Sequence, residues 1–227
     1  MTEKLVEEPN YRNRVSVFRD RFQAGKLLAD KLHEYSDNPN VIILALPAGG
    51  VPVGYTVAKE LAVQVDVIIV RKIQIPWNTE AGFGAVTWDG KILLNEDLVK
   101  QLDLTEEEIE SAIQKTKSNV QERLRKFRDD KPAPNLEDKV VILVDDGLAS
   151  GFTMLAAARS VRESKPKKII VAVPTASMGA IEMLSPAVDV IVCLNVRSGP
   201  SFAVAEAYEN WYDLTDDEVS KIISKNA

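Results

Sequence analysis

The chain has 227 residues, 45% of them hydrophobic and 27% charged, with a formal net charge of −6. That length suits one α/β domain with a substantial core, and the composition is that of an ordinary globular protein. The acidic balance argues against broad binding to nucleic acid or to anionic membranes, although an anionic substrate needs only a local basic pocket.

Residues 1–13 are polar and read as a loosely held N-terminal arm, with residues 14–227 as a single domain. Met1-Thr-Glu-Lys4 lacks the apolar segment of a signal peptide, and no later run is long enough to span a bilayer. Between Val15 and Tyr35, the positions of Phe18, Phe22, Leu27, Leu28 and Leu32 predict an amphipathic helix. His33 lies on it and reads as a surface residue. With one His and one Cys in the chain, a zinc site and a His-dependent nucleophile triad both lack their parts.

Asp37-Asn-Pro39 turns the chain into a buried strand, Val41 to Leu46, which runs into Pro47-Ala48-Gly49-Gly50 and a helix from about Pro52 to Leu61. Proline fits the first turn of a helix, where its missing N–H costs nothing. Tandem glycines let the main chain approach a ligand closely, so Ala48, Gly49 and Gly50 present backbone donors at the strand end. Val65 to Val70 predicts the next strand, ending in Arg71 and Lys72. Two cations there need solvent or an anion; Arg suits bidentate contact and Lys acts as a point charge. Gln74 to Trp88 reads as a loop broken by Pro76, Asn78, Gly82 and Gly84, leading into a hairpin that turns at Asp89-Gly90. The longest predicted helix covers about 104–130, with Thr105 and Glu108 as a capping box and Ile109, Ile113, Val120, Leu124 and Phe127 as its apolar stripe. Its basic end, Arg123, Arg125, Lys126 and Arg128, complements the helix dipole and reads as a solvated face.

Val140 to Val144 is a continuous apolar run suited to a strand buried on both faces. It ends in Asp145 and Asp146, followed by a small-residue turn and then Met154, Leu155, Ala158 and Val161 at helical spacing. The turn from Gly147 to Gly151 lets successive N–H groups converge on one anion, and the helix beginning near Thr153 adds the positive end of its dipole. Ser150 and Thr153 add hydroxyl donors, while the two acids are acceptors suited to sugar hydroxyls or to a metal carried by the ligand. The inferred ligand is a sugar phosphate. Beyond this unit come a strand at Lys168 to Val173, a helix at about Ser177 to Leu184 and a strand at Asp189 to Leu194. Cys193 ends an apolar run and reads as a buried reduced thiol, pointing to the cytoplasm. A loop broken by Gly199 and Pro200 follows, then a last helix capped by Thr215 with Glu218. This alternation predicts an α/β fold with a doubly wound, mostly parallel sheet, and ligands bind at the carboxyl edge of such sheets.

Val141-Ile-Leu-Val-Asp145-Asp146-Gly-Leu-Ala-Ser150-Gly151-Phe-Thr153 resembles the phosphoribosyl pyrophosphate signature of type I phosphoribosyltransferases. Ser150 stands where the family usually has Thr and keeps the hydroxyl. A generic β-α turn is the plain alternative. The acidic strand of a P-loop NTPase is a second, and it fails for want of any G-x-x-x-x-G-K-[ST]. One subgroup of the family reads Leu-Pro-Arg-Gly-Gly-Val-Pro-Val-Gly where this chain has Ala48 for the Arg, and the likeness continues in Arg71-Lys72, Pro76, Asn78, Glu80, Gly84 to Val86, Phe202 to Val204, Tyr208 and Phe18 to Arg21.

The resemblance implies transfer of the phosphoribosyl group of phosphoribosyl pyrophosphate to a nitrogenous acceptor, in a cytoplasmic homodimer that uses Mg²⁺ and needs no nucleic acid or membrane. It places Asp145, Asp146 and Lys72 in the catalytic set, with Gly147, Leu148, Ala149, Ser150, Gly151, Phe152 and Thr153 around the 5-phosphate. Ala48, Gly49, Gly50, Arg71 and Lys72 would receive the pyrophosphate, with Mg²⁺ held by it and in reach of Asp145 and Asp146. A hairpin lid at about 73–94 and a small hood built from about 195–227 with N-terminal segments would close the site, Phe202 and Tyr208 stacking on the acceptor. Two other functions stay open: a sensor that binds the donor without turnover, for which Ala48 speaks, and a hydrolase of the same sugar phosphate.

Overall fold

The computed structural model describes residues 4–129, 131–199 and 201–225. Its centre is a six-stranded, all-parallel sheet made of β1 (Leu5–Glu7), β2 (Val41–Ala45), β3 (Gln64–Val67), β7 (Val140–Val144), β8 (Lys168–Ser177) and β9 (Val190–Arg197). The spatial order is β1-β9-β8-β7-β2-β3. Alternate side chains of each strand point to opposite faces. Ile42, Leu44, Val141 and Leu143 therefore pack on α5 (Phe152–Glu163) and α6 (Met178–Leu184). Ile43, Ile142, Val144 and Ile170 pack on α1 (Arg21–Lys31) and α2 (Gly50–Leu61). Helices cover both faces, which is why the strands read as continuous apolar runs. The expected doubly wound α/β sheet is the observed one.

A second, three-stranded antiparallel sheet, β4 (Val70–Ile75), β5 (Asn78–Thr87) and β6 (Ile92–Leu94), stands apart from the first. The Val65–Val70 run is therefore not one strand: it ends at Val67, and a new strand in the other sheet starts at Val70. Arg71 and Lys72 consequently lie within β4 rather than at a parallel strand's end. The glycines expected to break the 74–88 segment instead sit inside β5, where the neighbouring chain is close. A Cβ on Gly84 would lie 2.7 Å from the Leu93 carbonyl oxygen. Asp89-Gly90 does make the turn into β6, with Gly90 at φ 82°.

After α3 (Glu96–Gln101), the long helix α4 (Glu106–Arg128) starts with the capping box of Thr105 and Glu108. Its Ile113, Val120 and Phe127 pack with Ile73, Phe83 and Val86 of the arm. Its basic end is a solvated face only in part: Arg125 and Lys126 are exposed. Arg128 is buried and reaches Asp66 Oδ2 at 2.8 Å, while Arg123 and Lys126 reach Asp216 and Asp217 of α7 (Asp216–Lys225) at 2.7 and 2.8 Å. Three pairings thus join distant segments, and at Arg128 a partner replaces the solvent expected from composition.

The N-terminal arm is also fastened. β1 adds an edge strand to β9, Lys4 Nζ donates to the Ser185 and Val188 carbonyls at 3.0 Å, and Asn195 Nδ2 donates to the Tyr11 and Arg14 carbonyls. The predicted Val15–Tyr35 helix shortens to α1, because Asp20 accepts the Gln23 N–H at 2.8 Å and caps it there. Upstream, Phe18 bridges to Tyr208 as isolated β pairing. Phe22 is exposed, as is His33. Cys193 is buried and free, and burial pushes its thiol far up. No helix among the described residues is long and apolar enough to cross a membrane.

Candidate active site

Strand order reverses between β2 and β7, since β3 lies on one side of the pair and β8 and β9 on the other. Loops leaving the carboxyl ends of such strands diverge and open a crevice. The two loops in question are Pro47–Gly50 and Asp145–Gly151, and the absence of side chains brings them together. A Cβ on Gly50 would lie 2.6 Å from the Val144 carbonyl oxygen, and one on Gly49 would lie 1.9 Å from Asp146 Oδ2. The peptide bond between Pro47 and Ala48 is cis.

The second loop is held from below and ends in a helix. Leu148 N–H donates to the Thr175 carbonyl at 3.0 Å, and Ser177 N–H returns a bond to the Leu148 carbonyl at 3.0 Å. Gly151, at φ 76°, turns the chain into α5 in a left-handed conformation that suits glycine. The N-terminal turn of α5 directs its unpaired N–H groups and positive dipole end at the loop. Ser150 Oγ accepts the Phe152 N–H at 3.4 Å, which orders the hydroxyl beside that turn.

A cavity of about 440 Å³ opens there, bordered by Gly147, Leu148, Ala149, Ser150, Gly151 and Thr153 of the loop, by Asp145, and by Pro47 of the first loop. The arm closes it from the other side with Val70, Arg71, Lys72 and Gln74, and Met154 and Val204 complete it. Loop donors, a carboxylate and two cations, widely spaced in sequence, thus surround one space. A larger cavity of about 620 Å³ between β4 and α4 shares Arg71, Lys72 and Gln74, but neither acid nor any loop residue borders it. Burial first, then the like charge of Arg123, pulls the Arg71 guanidinium below its ordinary value, with Asp216 opposing.

Several expected members fall outside the cavity. Asp146 does not border it: its Oδ2 accepts Arg21 Nε at 2.8 Å, and the residue is 8% exposed. Ala48, Gly49 and Gly50 flank it without lining it, and Phe152 packs on the core. Tyr208 offers no face for stacking. It is 4% exposed, and its hydroxyl donates to the Asp146 carbonyl at 2.6 Å. Phe202 does not line the cavity either, and its ring faces the Arg197 guanidinium at 5.7 Å. The side chain of Glu80 lies outside the described residues. Sequence reasoning missed Gln74, Val204 and Arg21. Phe18 to Arg21 belongs to the stretch that resembles the family, but no local signal marks a partner of Arg21 125 positions away.

The two carboxyls differ. Burial pushes the Asp145 carboxyl well above the usual carboxylate range, and the charge of Asp146 adds to this. Burial also raises Asp146, but the charge and hydrogen bond of Arg21 pull it back.

An acid, a small-residue turn at the start of a helix and two cations thus meet at the switch point of a doubly wound α/β sheet. The family model described as the phosphoribosyl transferase domain matches residues 89–208, over half of the chain. Two proteins of Mycobacterium tuberculosis, from strains CDC 1551 and H37Rv, are provisionally named phosphoribosyl transferases. Each is 34% identical to this chain over 211 residues, a stretch that covers 93% of it. The match covers 47% of each relative, so the chain spans about half the length of these curated relatives. The crystal structure of TT1426 from Thermus thermophilus matches with a TM-score of 0.75 at 34% identity, covering 92% of this chain and 99% of that one. The chain belongs to the phosphoribosyltransferase family. The matched range contains Asp145, Asp146 and the Gly147–Thr153 turn but not Arg71 and Lys72, which join them only around the cavity.

Proposed function

We propose that the chain transfers the 5-phosphoribosyl group of phosphoribosyl pyrophosphate to a nitrogenous acceptor and releases pyrophosphate. One observation carries the reading: one cavity of about 440 Å³ is lined at once by residues of the Gly147–Thr153 turn, by Arg71 and Lys72 and by Asp145. The turn and the start of α5 would hold the 5-phosphate, Asp145 would accept from the ribose hydroxyls, and Arg71 and Lys72 would take up the leaving charge. Displacement by a nitrogen nucleophile passes through an oxocarbenium-like state. The nearby carboxylate favours its positive charge, so the protein acts by positioning and electrostatics rather than by a covalent step.

Among the described residues no group of three or more His, Cys, Asp and Glu could hold a metal by itself. The donor set therefore fits magnesium that arrives on pyrophosphate oxygens, with Asp145 as the protein carboxylate in reach. When bound, the ion would neutralise charge on the leaving group. In the same proposal the hairpin at about 73–94 acts as a lid that excludes water from the activated sugar. Residues 195–227 with the N-terminal segments act as the hood of a single domain, and the protein works in the cytoplasm as a homodimer. Light scattering tests the dimer.

The deciding experiment incubates the protein with phosphoribosyl pyrophosphate, magnesium and a panel of nitrogenous bases and measures pyrophosphate. Base-dependent release supports transfer. Ala48 removes a cation from the pyrophosphate loop and favours a second reading, a donor-binding sensor. Thermal stabilisation by the donor with no pyrophosphate released from any mixture would select it. Release of inorganic phosphate instead would indicate a hydrolase.

A further inference from the structure

Residues 18–21 and 208–212, far apart in sequence, converge beside the acid pair. Arg21, the first residue of α1, is 6% exposed and points inward. Its Nε donates to Asp146 Oδ2 at 2.8 Å and its Nη1 to the Tyr212 carbonyl at 2.9 Å. The guanidinium lies 3.9 Å from the centre of the Trp211 ring, with the Tyr208 and Tyr212 rings at 5.9 Å. On its other side the Asp146 carboxylate abuts Gly49, where a Cβ would come within 1.9 Å. Asp146 is thus closed in from both directions, while its N–H donates to Asp145 Oδ1 at 2.8 Å.

We propose that Arg21 is a positioning residue of the donor site, holding the Asp146 carboxylate beneath the Pro47–Gly50 loop so that Asp145 alone meets the sugar hydroxyls. The proposal rests on the phosphoribosyl reading of the cavity. Two adjacent carboxylates repel each other, and the Arg21 guanidinium offsets that repulsion at Asp146. A planar, permanently charged guanidinium stacked on an indole neutralises one of them at fixed geometry, which a flexible ammonium group cannot reproduce. The titratable groups facing Asp146 are Arg21 from α1, Asp145 from the loop and Tyr208 from the C-terminal segment. Arg21 is the cation among them. The arrangement also gives the otherwise remote segments 18–21 and 208–212 a direct hold on the site.

The test compares the full-length wild type with R21Q and R21K by calorimetric titration with phosphoribosyl pyrophosphate and magnesium at neutral pH, with the melting temperature of each ligand-free protein measured alongside. R21Q is expected to bind the donor about tenfold more weakly at a temperature where it is fully folded. R21K, which keeps the charge but cannot serve both Asp146 and the Tyr212 carbonyl, should lie between. A lowered melting temperature with wild-type donor affinity in both variants would make Arg21 a structural staple and overturn the proposal. If R21Q does not fold, R21K decides by the same readout, since wild-type affinity there would sink the idea. A wild type that binds no donor defeats the phosphoribosyl reading instead. The backbone amide NMR signals of Asp145 and Asp146 in ligand-free R21K then decide whether Arg21 holds the acid pair, since unmoved signals would overturn it.

Discussion

The cavity above the acid pair and the clamp below it use the same residue type to opposite ends. Asp145 borders an open space and, among the described residues, has no cation bonded to it; Asp146, the next residue, is sealed between an arginine, an aromatic cluster and a glycine backbone. Extended backbone sends consecutive side chains to opposite sides, so one step in the chain separates a cavity-facing carboxylate from a clamped one. An unpaired buried charge is a liability to the empty protein and an asset once a ligand supplies its partners. A paired one is a liability only when the pair is broken.

The largest effect expected is on the clamp. Asp146→Ala leaves Arg21 buried without its partner and should lower stability by about 3–5 kcal/mol, read as a drop in urea midpoint. Asp145→Asn should do the reverse. It raises the barrier to pyrophosphate release by about 2.7–4 kcal/mol while stabilising the ligand-free protein. The pH dependence follows from the raised Asp145 carboxyl. Between its ordinary and its raised value the folded state binds more protons than the unfolded, so wild-type stability falls as pH rises through that window. The difference in melting temperature between Asp145→Asn and wild type should therefore grow with pH across it. If both substitutions destabilise equally at neutral pH, the distinction between cavity and clamp fails.

Gly50→Ala drives a methyl group into the Val144 carbonyl where the two loops meet. Such overpacking should remove about 1–3 kcal/mol of stability and weaken donor binding, measurable by denaturation and calorimetry. Lys72→Ala should weaken binding of inorganic pyrophosphate about tenfold, the effect of one charge-assisted contact, measurable by calorimetry. Trp77, 62% exposed at the tip of the arm, should change stability by less than about 0.5 kcal/mol when replaced by Ala. If the tip belongs to the lid, the same substitution should raise the rate at which the donor is hydrolysed relative to transferred. An unchanged ratio would remove the tip from the lid.

Much of the molecule was legible because its signals are local. The β2 and β7 runs, the turn into α5, and the capping boxes of Thr105 with Glu108 and Thr215 with Glu218 all lie where their residues place them. The Asp89-Gly90 turn does so too. Misreadings occurred where a partner decides. β1 is a strand only because β9 offers it an edge, and β5 keeps its glycines because Lys72 and Leu93 crowd them. Arg128 is buried because Asp66 meets it.

By itself the sequence determined that this is a doubly wound α/β protein of the phosphoribosyltransferase family, with two acids and a small-residue turn after its central strand. Backbone preference and hydrophobic periodicity act over a few residues, and such a turn needs no more than that. Only the tertiary structure decided that Val65–Val70 divides between two sheets, that Tyr208 belongs to the core and that Asp145, not Asp146, borders the cavity. Those outcomes depend on which distant groups arrive at the same place, and for a buried charge the arriving partner sets both its cost and its use.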